Sequence, residues 1–187
     1  MKTYEIKISG VADMLQNRLS KELIDEIKEI PNAKKEEWEE KNWERKLYKD
    51  KEDNIIIPEM GLHIFLQDSC KKYKVNPPKS IGRTWTAYFK SSVLVLEPAI
   101  INNAKIEPYG VMVNGSPSSS KGSSKVYRVR PRILKGWSTT IKIMDTADYL
   151  KKTIVEEIFK CGGMFIGLCD WRPIHGRFVV DSVKEID

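Results

Sequence analysis

The chain has 187 residues, of which 41% are apolar and 31% charged. That balance fits one soluble domain able to bury a real core, and no apolar run approaches the roughly 20 residues that a membrane helix needs. The net charge of +6 is unevenly placed, at −1 over residues 1–75, +9 over 76–144 and −2 over 145–187, an asymmetry that points to an anionic partner.

Tyr4, Ile6 and Ile8 alternate with polar residues, the period of a half-buried strand, and Gly10 ends it. This alternating start has no apolar signal core, so a cytoplasmic protein is expected. Leu23, Ile24, Ile27 and Ile30 then give helical spacing up to Pro31. Residues 34–49 are almost entirely charged around Trp38, Trp43, Leu47 and Tyr48, which predicts a solvated helix pinned by its aromatics, with Lys35 and Lys46 in water.

Ile55, Ile56 and Ile57 form a short β-branched run, and Pro58 suits the first turn of a helix carrying Met60, Ile64, Phe65 and Leu66. A short helix over 80–90 and a strand at 93–96 follow. The residues from 105 to 144 read as three strands. The serine-rich stretch 115–124 reads as a mobile hairpin finger. In the strand over 125–134, Tyr127, Val129, Pro131 and Ile133 fall on one face and Arg128, Arg130 and Arg132 on the other. Pro131 cannot donate to a ladder, which places this strand at or near an edge. Trp137, Thr139, Ile141 and Ile143 define its antiparallel neighbour. A helix capped by Asp145 or Thr146 buries Leu150, Ile154, Val155 and Ile158 and stops at Gly162. The loop beyond it carries Asp170, Trp171, Arg172, His175 and Arg177 and leads into the last strand.

This order predicts a single α+β domain over residues 1–187: a ferredoxin-like antiparallel sheet with helices on one face, a charged helical insertion at about 31–53 and the finger. The arginines of the 125–134 strand stand roughly 6.6 to 7 Å apart, a spacing that can follow successive phosphates. No acid lies between residues 125 and 144, so the row's charges repel until something neutralises them. A solvent-facing or edge-protecting strand is the plainer explanation. Arg128, Arg130, Arg132, Lys121, Lys125, Arg172, Arg177, His175 and Trp171 are therefore the candidate contacts to nucleic acid or a nucleotide. Trp171 and Trp137 are the rings available to stack on a base.

Two histidines and three cysteines without metal-like spacing predict no metal site and reduced thiols. With no phosphate-binding loop, dinucleotide fingerprint or paired-cysteine signature, no cofactor is expected. Cys169 is the sole nucleophile near His175, in a spacing typical of no Cys–His site, so a binder is expected and not an enzyme.

The segments YEIKISG, IIIPEMGLHIFLQDSCKKY, VYRVRPR and GGMFIGLCDWRPIHGRF resemble a group of uncharacterised phage and prophage proteins. The layout is more distantly similar to the RAMP superfamily of CRISPR RNA-binding subunits. Ile57-Pro58 would open the family's helix, and residues 162–176 would be its Gly-rich loop before the last strand. This chain has Glu59-Met60-Gly61 in place of the usual Ser/Gly-rich helix start, and an added DWRP in the last loop. The linear arginine row favours binding of single-stranded RNA or DNA, the arginine-bearing, proline-containing strand and the finger suit a homo-oligomer, and no membrane is expected. The alternative is a viral counter-defence protein that sequesters a small cyclic nucleotide or binds a host defence protein; a phage protein partner is a further expectation.

Overall fold

The computed structural model describes residues 1–82, 84–114 and 125–186. The finger over 115–124, and with it Lys121, lies outside them. Among the described residues no helix is long and apolar enough to cross a membrane.

The strands are β1 (Lys2–Gly10), β2 (Met14–Leu15), β3 (Ile56–Ile57), β4 (Val93–Val95), β5 (Ala99–Asn102), β6 (Ile106–Asn114), β7 (Lys125–Ile133), β8 (Ser138–Asp145) and β9 (Phe178–Ile186). The helices are α1 (Lys21–Glu29), α2 (Lys35–Asn42), α3 (Glu59–Lys72), α4 (Trp85–Ser92) and α5 (Lys152–Phe165). The result is a mixed α/β fold with two antiparallel sheets. The larger runs β3-β5-β8-β1-β9, with β4 also pairing β8, and the smaller runs β2-β7-β6.

Tyr4, Ile6 and Ile8 of β1 and Ile141 and Ile143 of β8 are fully buried, as their alternation requires. Leu62, Phe65 and Leu66 of α3 and Val155, Ile158 and Phe159 of α5 join the same core. Phe65 is its hinge point, with ring centroids 5.7 Å from Phe159 and 5.5 Å from Phe178. Gly162 lies inside α5 and does not end it. A β-carbon there would collide with the Phe65 ring and Ser69, so the glycine serves close helix packing. The left-handed residue that turns the chain out of the helix is Gly167, at φ +76°. Asp145 does not cap the helix either. It is buried at the end of β8 and accepts hydrogen bonds from the Tyr88 hydroxyl and from the Ala147 and Leu150 amides.

The chain crosses between the sheets twice at one place. Gly10 donates to the Trp137 carbonyl at 2.7 Å and Gly136 to the Gly10 carbonyl at 3.0 Å. The fully buried Trp137 ring lies where a β-carbon on residue 10 would be. That crossing separates β7 from β8, so the two are not neighbours as their adjacency in sequence implies. β7 does lie near an edge: opposite β6 it pairs with the two-residue β2 only at Arg132 and Ile133, and the carbonyl of Pro131 accepts from the Gln16 amide at 3.1 Å.

The charged insertion also differs from the expectation of a solvated helix. Glu39 and Lys46 have side chains only 2% exposed, and they pair with each other against β7. Their burial follows from β2 being only two residues long, which leaves the middle of β7 to be covered by something else.

Candidate nucleic-acid interface

β7 holds Arg128, Arg130 and Arg132 on the face opposite the buried Val129, Pro131 and Ile133. Register fixes what joins them. Glu107 lies across from Arg132, Tyr109 from Arg130 and Val111 from Arg128, and cross-strand partners share a face. A second contribution comes from the loop after α5. Asp170 donates its amide to the Leu15 carbonyl at 2.9 Å, and Gly176 donates to the Asp13 carbonyl at 2.8 Å. These bonds lay the loop along β2, next to the arginine row. Cys169 and Trp171 take left-handed backbone angles of 62° and 55° to follow that path.

The row and the loop therefore form one surface. Arg130 donates from Nε to Asp170 Oδ2 at 2.5 Å, and its guanidinium lies 5.0 Å from the Trp171 ring centroid. Arg132 lies 4.9 Å from the Tyr109 ring, and Tyr109 in turn stands 5.7 Å from the His175 ring. Aromatic rings missing from the arginine face of β7 are thus supplied by β6 and the loop. Trp171 is exposed enough to meet a ligand, whereas Trp137 is completely buried and cannot stack on one.

Each arginine has a carboxylate partner. Arg128 pairs with Glu39 at 3.5 Å, Arg130 with Asp170, and Arg132 with Glu107 and Asp13. The expectation that the row is un-neutralised is corrected: the acids come from β6, α2 and two loops, and none from residues 125–144. What remains free differs along the row. Arg132 uses both terminal nitrogens on acids, and its Nε is buried without a partner among the described residues. Arg128 engages Nη1. Arg130 engages only Nε, leaving both terminal nitrogens without a partner among the described residues.

The remaining candidates stand around this face. Lys125 is exposed at the start of β7. Arg172 turns to Asp68 of α3 at 3.6 Å, and Arg177 donates Nε to the Pro173 carbonyl at 2.7 Å, so neither shares an acid with the row. His175 is half-buried between Tyr109 and Trp171. Cys169 is half-buried, and desolvation pushes its thiol up to about 12, away from the thiolate a nucleophile needs. Tyr109, Asp13, Glu39 and Glu107 are not singled out by the sequence. Tyr109 alone left a signal there, as a ring in a strand adjacent to the arginine strand.

No family model matches the chain, and no curated protein matches it by sequence. Solved structures do match in fold. A chain of Type III-B Cmr-beta bound to cognate target RNA superposes with a TM-score of 0.61 at 10% identity, over 100% of this chain and 61% of that one. Cmr6 from Pyrococcus furiosus superposes with a TM-score of 0.52 at 8% identity, over 96% of this chain and 98% of that one. This chain spans 61% of the length of the Cmr-beta chain that it matches. At these identities the likeness is one of fold alone, and it agrees with the arrangement of elements expected from the sequence.

Proposed function

We propose that this protein binds single-stranded nucleic acid, without catalysis, on the face formed by Arg128, Arg130 and Arg132 and the loop after α5. The observation that carries this reading is the setting of Arg130. Asp170 holds its Nε, its Cζ lies over the Trp171 ring, and its terminal fork is uncommitted among the described residues. A guanidinium fixed in this way meets a phosphate with two parallel hydrogen bonds, while Trp171 and Tyr109 offer faces to unpaired bases. The solved Cmr-beta structure of similar fold is bound to target RNA, which supports the same class of ligand here. A face with three arginines covers a short stretch of strand, so covering a longer one takes several copies.

We also read the larger sheet as ferredoxin-like. If β4 and β5 together stand for the second strand, its order is second, third, first, fourth, with α3 after the first strand and α5 after the third. The smaller sheet is then an addition that carries the binding face.

Anisotropy of a labelled single-stranded oligonucleotide across a salt series tests the function. Three neutralised phosphates give a log–log slope of about −2, from about −0.7 for each. Arg130→Glu should weaken binding far more than Lys35→Glu on α2. Absence of binding at low salt overturns the proposal, and equal losses in the two variants reduce it to an effect of overall charge.

A further inference from the structure

We infer that the groove between α1 and the arginine face is a nucleotide subsite, holding a base against α1 while Arg128 and Arg130 hold its phosphate. The inference rests on the nucleic-acid reading and locates one unit of the ligand within it.

The groove has a volume of about 350 Å³, in the range of about 300 to 1,000 Å³ common for small-ligand sites. Its apolar wall is Leu19, Ile24 and Ile27 of the α1 segment with Val113 of β6. Leu23 alone of this helix is buried, and Leu19 and Ile24 stay 49% and 37% exposed. The apolar face of α1 is therefore only half used by the fold. Arg128, Arg130 and Lys28 stand on the rim, which gives one side of the groove a positive charge. Asn17 lies at its end, half-buried, with an amide suited to the edge of a base.

Two features single out a nucleotide from other flat or anionic ligands. The walls combine an apolar slot with a charged rim, which matches a base joined to a phosphate. The Arg130 side chain is held at Nε by Asp170, and its terminal nitrogens have no partner among the described residues, so they are free to meet a phosphate oxygen there. The rigid base of the groove is the Glu39–Lys46 pair, whose lysine is fixed to β7 by donation to the Val129 carbonyl at 2.9 Å.

The test compares Ile24→Asp with Leu94→Asp. Both replace an exposed apolar residue and change net charge equally, but Leu94 lies on β4 in the larger sheet. Circular dichroism checks that both variants fold, and the probes are a labelled hexanucleotide and free adenosine monophosphate. Loss of base packing predicts about tenfold weaker hexanucleotide binding for Ile24→Asp and less than about twofold for Leu94→Asp. Hexanucleotide binding that is unchanged in Ile24→Asp overturns the groove and leaves the arginine face intact. Saturable binding of adenosine monophosphate alone, lost in Ile24→Asp, supports the groove as a site for free nucleotide and overturns the single-strand reading. Binding of neither probe overturns both.

Discussion

Glu39 and Lys46 bracket a single residue of the neighbouring strand. The Glu39 carboxylate accepts from the Val129 amide at 2.8 Å, and the Lys46 ammonium donates to the Val129 carbonyl at 2.9 Å. Two side chains of opposite charge thereby do for β7 what the backbone of another strand would do, at the point where β2 has already ended. Desolvation lowers the Lys46 pKa, against the opposing pull of Glu39. A buried pair of this kind is held by its hydrogen bonds as much as by its charges.

Lys46→Met should cost about 3–5 kcal/mol, because it leaves Glu39 as an uncompensated buried charge. Removing both charges in Lys46→Met/Glu39→Leu should not restore stability in full. The Val129 amide and carbonyl then lack partners, at about 1–3 kcal/mol each. Lys34→Glu, at an exposed position of the same insertion, should stay within about 0.5 kcal/mol. Urea midpoints of the four proteins decide this, and a double variant as stable as the parent would show that the pair serves no backbone role.

Stability should fall on the alkaline side. Burial pushes the Tyr4 hydroxyl up to about 12, and burial with the Asp145 hydrogen bond raises that of Tyr88 further. These phenols keep their protons in the folded chain at a pH where the unfolded chain has lost them. Their contribution is present below the ordinary tyrosine value of about 10 and is lost as pH rises toward the folded values. The Cys70 and Cys169 thiols, also pushed up to about 12 by desolvation, act in the same direction from about pH 8.5 upward. Lys46, lowered by desolvation, opposes them but is a single group. Denaturant midpoints should therefore hold steady to about pH 8 and decline by pH 11. Tyr88→Phe should flatten part of that decline while lowering stability at neutral pH, where Asp145 loses a donor. A midpoint that rises between pH 9 and about pH 11 would contradict the assignment.

How much of this the sequence reveals depends on the range of the interaction. The two faces of β7 and the apolar stripe of α5 are local periodicities, and both appear where the alternation and the helical spacing put them. Strand partners are not local. Alternation tells which face of β8 is buried but not that Gly10 and Trp137 route it into a different sheet from β7. The end of α5 is hidden for a related reason, since a glycine that stops a helix and one that lets Phe65 approach look the same in sequence. In the site, the arginines could be read from their spacing, whereas their acids could not. Glu39 is one charge among many in its helix, and only the short β2 beside it explains why it is buried.

The sharpest prediction on the binding face concerns Asp170, because two simple ideas about it disagree. As an acid beside an arginine row, it should repel phosphate, and its neutralisation should tighten binding. The geometry argues the reverse. Asp170 engages Arg130 at Nε, not at the terminal fork, and the guanidinium carbon lies over the Trp171 ring. The acid therefore fixes the direction of the fork and leaves it open. Asn in its place keeps the shape and an acceptor oxygen but loses the charge-assisted bond, so the long Arg130 side chain must be ordered again on each binding event. That ordering is worth about 0.5–1.5 kcal/mol, which predicts oligonucleotide binding weakened about two- to tenfold in Asp170→Asn. The salt slope should stay unchanged, because no phosphate contact is lost, whereas Arg130→Ala should lower it by about 0.7. Glu97→Gln, which removes an equal charge beside Lys142 on the other sheet, should leave affinity unchanged or slightly improve it. Anisotropy titrations of these three variants at several salt concentrations separate the two ideas, and tighter binding by Asp170→Asn would mean that the carboxylate obstructs the fork it is argued to aim.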